Sequence, residues 1–201
     1  MTIQTMKLTL RQRIIADRAA LPQGGRAQLS REITARLLRL DVYRKAHTVL
    51  GYMSFGAEFE SNSWVRQVLA DGKTLLLPKV NMDTRELELY RVTDMDAQLA
   101  PGAYGIREPL PQSCVAAKLE DADFILLPGV AFTRNGARLG YGGGFYDKLL
   151  AHMTHQPALA AAAFALQIVE QIPQESTDVK VGWIITEQEI IDCSEQGNPQ
   201  E

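Results

Sequence analysis

The chain has 201 residues, 46% of them hydrophobic and 22% charged, enough for one full core and short for two independent domains. Its formal net charge of −3 excludes a bulk attraction to nucleic acid or to an anionic membrane, so any affinity for anions must be local. No apolar run approaches the roughly 18 residues of a membrane span, and the start MTIQTMKLTLRQRIIADRAALP interleaves charges with apolar residues, unlike a secretory signal.

In chain order, residues 4–20 and 26–40 read as two helices separated by LPQGG. In the second, Leu29, Ile33, Leu37 and Leu40 recur at three- and four-residue spacing. HTVLGYMSF (47–55) is a strand, and SNSWVRQVLADG (61–72) a helix with cap candidates in Ser61 to Ser63 and a stop at Gly72. KTLLLPKV (73–80) and ELELYRV (86–92) are strands, the second alternating as an edge strand or one with a wet face does. FILLP (124–128) is a short continuous apolar run, the pattern of a central parallel strand buried on both sides. A glycine-rich stretch then leads into a helix over 143–153. Alanine favours helix in ALAAAAFA (158–165), but its place between a helix and the next turn predicts a strand. VGWIIT (181–186) is the last strand, and 193–201 reads as a disordered tail. The alternation implies one α/β domain over 1–192, a mainly parallel sheet with helices on both faces. Ligands in such folds bind outside the carboxyl ends of the strands, the edge to which the glycine stretch falls.

That stretch, RLGYGGGFYDKLL (138–150), is neither a phosphate-binding G-x-x-x-x-G-K-[ST] loop nor a dinucleotide fingerprint. Two readings stay open. Bare glycines suit a tight turn or a close helix–sheet contact; successive unobstructed N–H groups ahead of a helix also suit an anion, most often phosphate. Arg138 just before the stretch can offer a planar fork to phosphate oxygens. Asp147 just after it either favours the helix dipole or, beside phosphate, holds Mg²⁺. Lys7 and Arg11 share a helix face, and spacing alone reads that face as solvated. Glu58 alone reads as a surface acid, Phe55 and Tyr104 as core aromatics, and Asp178 as a turn residue. His152 and His155 at i, i+3 lack a third ligand nearby and read as an exposed helix end; His47 reads as structural or exposed. Cys114 and Cys193 fit no metal spacing and read as free, reduced thiols, which points to the cytoplasm.

FILLPGVAFTRNGARLGYGGGFYDKLL (124–150) resembles the signature segment of the 5-formyltetrahydrofolate cyclo-ligase, or methenyltetrahydrofolate synthetase, family. Lys7-Leu-Thr-Leu-Arg11 resembles the family's K-x-x-L-R, and Tyr52-Met-Ser54-Phe-Gly-Ala-Glu58 its Y-x-S-x-x-x-E. Gly72-Lys73 to Leu77-Pro78, Gly105 to Pro109, Gln167 to Asp178 and Thr186-Glu187 fit as well, so the resemblance spans nearly everything but the tail. Lys148 departs from a frequent arginine, and Thr177 from a histidine or aromatic residue.

The resemblance implies a fold similar to the sugar-phosphate isomerase and CoA-transferase group. It implies ATP- and Mg²⁺-dependent conversion of 5-formyltetrahydrofolate to 5,10-methenyltetrahydrofolate, with release of ADP and phosphate. ATP would be bound by Lys7, Arg11, Arg138, Leu139, Gly140, Tyr141, Gly142, Gly143, Gly144, Phe145 and Tyr146. The folate would be bound by Phe55, Glu58 and Tyr104 together with Tyr141, Gly142, Gly143, Gly144 and Phe145. Arg138 and Asp147 are the implied catalytic groups, and Asp147 and Asp178 the implied Mg²⁺ carboxylates. Neither nucleic acid nor a membrane is an expected partner, and a monomer or weak homodimer is expected. The competing readings are a non-catalytic phospholigand sensor, which would normally carry a DNA-binding module, and a sugar-phosphate isomerase, which would need no ATP.

Overall fold

The structure is a computed structural model and describes residues 2–175 and 178–194. Helix α1 (Ile3–Ala20) opens where the Thr2 hydroxyl accepts the Thr5 N–H at 3.2 Å. Leu21 closes it and Pro22 caps the start of α2 (Gln23–Leu37), so the second helix begins and ends three residues before its expected 26–40. Gly24 and Gly25 lie inside the first turn, and α3 (Asp41–Lys45) takes over beyond Leu40. Then come β1 (Thr48–Leu50), α4 (Ser61–Ala70), β2 (Thr74–Asn81), β3 (Glu86–Val92), α5 (Met95–Gln98), β4 (Leu99–Pro101), β5 (Arg107–Pro109) and β6 (Val115–Ala117). The chain continues through β7 (Phe124–Leu126), β8 (Ala131–Phe132), β9 (Arg138–Leu139), α6 (Phe145–Ala151), β10 (Ala158–Ala162), β11 (Trp183–Ile185) and β12 (Ile190–Asp192).

Eight strands form one sheet in the order β12-β11-β10-β7-β1-β2-β3-β6. The middle five, β11 to β2, are parallel, and β12, β3 and β6 join antiparallel at the margins. The alanine-rich segment is a strand because it lies between β7 and β11, where ladder pairing and burial override alanine's helical preference. Strand β7 is buried on both sides: Phe124 and Leu126 enter one core, Ile125 and Leu127 the other. The first core packs α2, α3 and α4 on the sheet through Ile33, Tyr43 and Trp64; the second lies against α6 through Leu150. A third, smaller core joins Ile14 of α1 to Val130, Ala131, Ala137 and Leu139 of the β8–β9 hairpin.

Several expectations need correction. Strand β3 is not the edge, because β6 pairs outside it. The expected strand 47–55 stops at Leu50, with the Gly51 N–H making one further bond to the Leu76 carbonyl at 3.0 Å, and the Trp64 ring packs 2.9 Å from where a Gly51 Cβ would stand. Ser61 does not cap α4: its hydroxyl donates to the Tyr52 carbonyl at 2.7 Å and accepts the Ser54 N–H at 2.9 Å, which turns residues 52–54 out of the sheet. The helix expected over 143–153 begins only at Phe145, because Gly144 holds φ +70°, and it ends at Ala151. Of the expected tail, Cys193 is buried and its N–H bonds the Gly182 carbonyl at 2.9 Å; residues 195–201 lie outside the described residues.

The β8–β9 turn carries Arg138 into place and depends on Gly136, which holds φ +85°. A Cβ there would collide with the Val181 carbonyl oxygen, which belongs to the segment leading into β11. Gly136→Ala is expected to destabilise the fold by more than about 2 kcal/mol, from left-handed strain and a backbone clash together. Denaturant titration checks this, and a loss within error of zero would contradict the assigned packing.

Candidate active site

A cavity of about 820 Å³ opens outside the carboxyl ends of β1, β2 and β7. Tyr52 and Met53 line it beyond β1, Pro78 and Val80 on β2, and Pro128 beyond β7. Its other walls are the first turns of α1, the 104–108 segment, the glycine stretch, and Glu175 with Asp178. Every site residue expected from the sequence lines this one cavity, from Lys7 and Arg11 through Phe55, Glu58 and Tyr104 to Arg138–Asp147 and Asp178. The bend below them is pinned by buried Gln167, whose amide donates to the Gly129 and Val130 carbonyls at 3.2 and 2.9 Å.

The two readings of the glycine stretch divide by position. Gly142 and Gly144 hold φ +100° and +70°, so they serve the turn itself. Gly143 has no such angle; a Cβ there would stand 2.8 Å from the Phe145 ring, on backbone exposed to the cavity. Arg11 Nε donates to the Gly140 carbonyl at 2.7 Å and fastens the stretch to α1. Buried Arg138 donates through Nη1 to the Pro128 carbonyl at 3.2 Å and through Nη2 to Asp147 Oδ1. Its Nε is buried without a hydrogen-bond partner, while the residue as a whole lines the cavity. Asp147 thus has a definite protein partner, and its side chain stays 40% exposed.

Lys7 is buried on α1, and its Nζ donates to Glu175 Oε2 at 2.9 Å and Asp178 Oδ2 at 3.0 Å. Burial alone would lower its pKa, but hydrogen bonds and charge from the two acids outweigh that and raise it. Burial would raise Asp178, yet the Glu175 N–H at 2.8 Å and the Lys7 ammonium carry it below the usual carboxylate value. Glu58 is buried at the opposite end. Desolvation raises its pKa, against the Tyr141 hydroxyl donating to Oε1 at 2.6 Å and the Phe55 N–H donating to Oε2 at 3.0 Å. Burial also pushes the Tyr141 phenol well up, so it stays protonated.

Phe55 and Tyr104 are not core residues: they are 37% and 67% exposed at the cavity. The Phe55 ring lies 5.1 Å from that of Tyr141, tilted by 45°. Tyr104 holds φ +57°, a strained position for a side-chain residue. Beside it, buried Glu108 accepts the Val80 and Ala103 N–H groups, each at 3.2 Å. His155 Nε2 lies 2.8 Å from the Ala122 carbonyl and His152 is exposed beyond α6, so the two histidines do not act as a pair. Among the described residues no group of three or more His, Cys, Asp and Glu could hold a metal.

Sequence reasoning missed Arg18, Glu175 and Glu108. Arg18 carried a usable signal, because residues 7, 11, 14 and 18 share one helix face, and three of these four are basic. Glu108 on β5 and Glu175 lie inside stretches that already resembled the family, Gly105 to Pro109 and Gln167 to Asp178, but nothing local singled them out as cavity residues.

A profile of the "5-formyltetrahydrofolate cyclo-ligase family" matches residues 3–187. The chain belongs to that family. The 5-formyltetrahydrofolate cyclo-ligase of Mycolicibacterium smegmatis is 30% identical, covering 90% of this chain and 93% of that protein. The cyclo-ligase of Haemophilus influenzae is also 30% identical, over 83% of this chain and 88% of its own. Among solved structures, the 5,10-methenyltetrahydrofolate synthetase of Aquifex aeolicus superposes with a TM-score of 0.83 at 33% identity, covering 98% of this chain and 96% of that one. The expected fold and the expectation of a ligase enzyme hold on these grounds. No helix among the described residues is long and apolar enough to cross a membrane.

The lowered Asp178 pKa has a definite sign. Its contribution to stability is full above the unfolded-state carboxylate value and is lost as pH falls through the lower folded value. Asp178→Asn is expected to cost about 1 kcal/mol or more near neutral pH, the scale of a hydrogen bond to a charged group. The gap from the parent is expected to narrow below about pH 4. Denaturant titrations at neutral and acid pH check this, and a gap independent of pH would contradict the ion pair.

Proposed function

We propose that this cyclo-ligase family member closes 5-formyltetrahydrofolate to 5,10-methenyltetrahydrofolate at the expense of ATP, in the cytoplasm, as a monomer or weak homodimer. The observation that carries the reading is a single cavity with two unlike ends. Lys7, Arg11, Arg138 and the open glycine backbone offer charge and N–H groups suited to a triphosphate. Exposed Phe55 and Tyr104 beside buried Glu58 offer flat apolar surface and one strong acceptor, suited to a pterin. Two free thiols, Cys114 and Cys193, agree with a reducing compartment.

The chemistry explains why ATP is needed. The N5-formyl group is an amide whose oxygen leaves poorly. The γ-phosphoryl group passes to that oxygen and ADP departs, giving an N5-iminium phosphate. N10 then attacks the formyl carbon and loses its proton, the C–O bond breaks, and phosphate carries the oxygen away as the five-membered ring closes. No protein nucleophile is required. The residues act by holding two substrates in line and by matching developing negative charge. Arg138 is suited to the transferring group because it lines the cavity directly before the glycine stretch, while Asp147 orients the guanidinium. Arg11 and Lys7 are suited to the phosphates from the α1 side.

The donor set fits Mg²⁺ carried by phosphate better than a protein cage, since one or two carboxylates plus substrate oxygens are that ion's usual surroundings. Asp147 and Asp178 would hold it, and bound there it would supply further neutralisation of phosphate charge.

Incubating the protein with 5-formyltetrahydrofolate tests the reading. With MgATP, the near-ultraviolet absorbance of methenyltetrahydrofolate is expected to appear with one ADP per product, and chelating Mg²⁺ is expected to stop it. Product formed equally well without ATP, or no product from this folate under any condition, would overturn the proposal.

A further inference from the structure

One buried group at the site has no part in the chemistry above. Arg18 is 3% exposed, lies behind the cavity wall and does not line it. Its Nη2 donates to the Tyr141 hydroxyl at 2.6 Å, and the guanidinium also stands 5.7 Å from the centre of the Tyr141 ring. Tyr141 in turn donates to Glu58 Oε1 at 2.6 Å, and Glu58 Oε2 accepts the Phe55 N–H at 3.0 Å. The chain of bonds therefore runs from α1 through the glycine stretch to the loop beyond β1.

Its direction is fixed by donor count. A guanidinium can only donate, so the Tyr141 oxygen must accept from Arg18, and its single proton is left for Glu58. Glu58 must then accept at both oxygens, which is the bonding pattern of a carboxylate and not of a neutral acid. We infer that Arg18 is a positioning residue for the folate end of the site: acting through Tyr141, it holds Glu58 in its accepting form and Tyr141 beside Phe55. The inference rests on the functional reading above.

The groups facing Glu58 are Arg18 from α1, Tyr52 from beyond β1, Tyr141 from the glycine stretch and Tyr146 from α6. Arg18 is the cation among them. Burial already raises Glu58, and Arg18 opposes that rise, so removing the guanidinium lifts the Glu58 pKa further. Binding that needs ionised Glu58 is lost as pH falls through this pKa, so its acid limb moves to higher pH when Arg18 is gone.

Steady-state kinetics of Arg18→Met against pH provide the test, with both substrates varied. The expected result is a folate KM raised roughly tenfold or more, the scale of unpairing one buried link in a charged chain. The ATP KM is expected to stay within about twofold, and the acid limb of kcat/KM for the folate to move up in pH. Tyr141→Phe keeps the ring and removes the middle link; it is expected to move the same limb the same way, and serves if Arg18→Met does not fold. Arg18→Lys, which keeps the charge, is expected to restore part of the folate KM. A working parent whose two variants leave the limb unmoved, or raise both KM values equally, overturns this inference alone. A parent that turns over no folate overturns the functional reading and this inference with it.

Discussion

The site depends on how the buried face of α1 is satisfied. That face carries Lys7, Arg11 and Arg18 around a single fully buried apolar residue, Ile14. Cations taken out of water are costly unless each finds a partner. Lys7 is met by Glu175 and Asp178 and Arg11 by the Gly140 carbonyl, while Arg18 has Nη2 on the Tyr141 hydroxyl and a buried Nε without a partner. The partners come from segments more than a hundred residues away in sequence, so docking α1 and assembling the cavity wall are one event. A helix with little apolar grip is thereby tied to the glycine stretch that it faces.

The parallel sheet supplies the fixed frame for that assembly. Its central strands end together at one edge, and the chain beyond β1 and β7 turns out there through Gly51 and Pro128–Gly129. The short β8–β9 hairpin then returns Arg138 to the Pro128 carbonyl, and the glycine stretch follows immediately. Polar groups at the site are thus held by backbone carbonyls and by one another, which leaves the aromatic faces of Phe55 and Tyr104 open. Lys7, Arg11 and Arg138 line one part of the cavity, and the exposed aromatic faces of Phe55 and Tyr104, with buried Glu58, line another.

Much of this was legible in the sequence. The span of β3 agrees residue for residue, α1 and β2 agree within a residue at each end, and the apolar run 124–128 contains the buried strand β7. The site residues that the family resemblance implied meet at one cavity because motif spacing encodes positions around a common edge. What could not be read depends on distant partners. Strands of two or three residues, such as β5, β8 and β9, carry too short a pattern to mark, and pairing alone defines them. Ser61 read as a cap because hydroxyls often cap helices, yet the tertiary contact to Tyr52 claimed it. Arg18 read as one charge among many until Tyr141 stood opposite it.

Amide hydrogen exchange with each proposed substrate alone tests most directly whether α1 and the glycine stretch form one ligand-binding unit. With MgATP, the expected result is slowed exchange across α1 and residues 140–147 together, with the β3–β6 margin unchanged. With 5-formyltetrahydrofolate, slowing is expected at 52–58 and 102–108 as well as at Tyr141. Protection by MgATP confined to surfaces away from α1 and the glycine stretch would contradict this assembly as the nucleotide site.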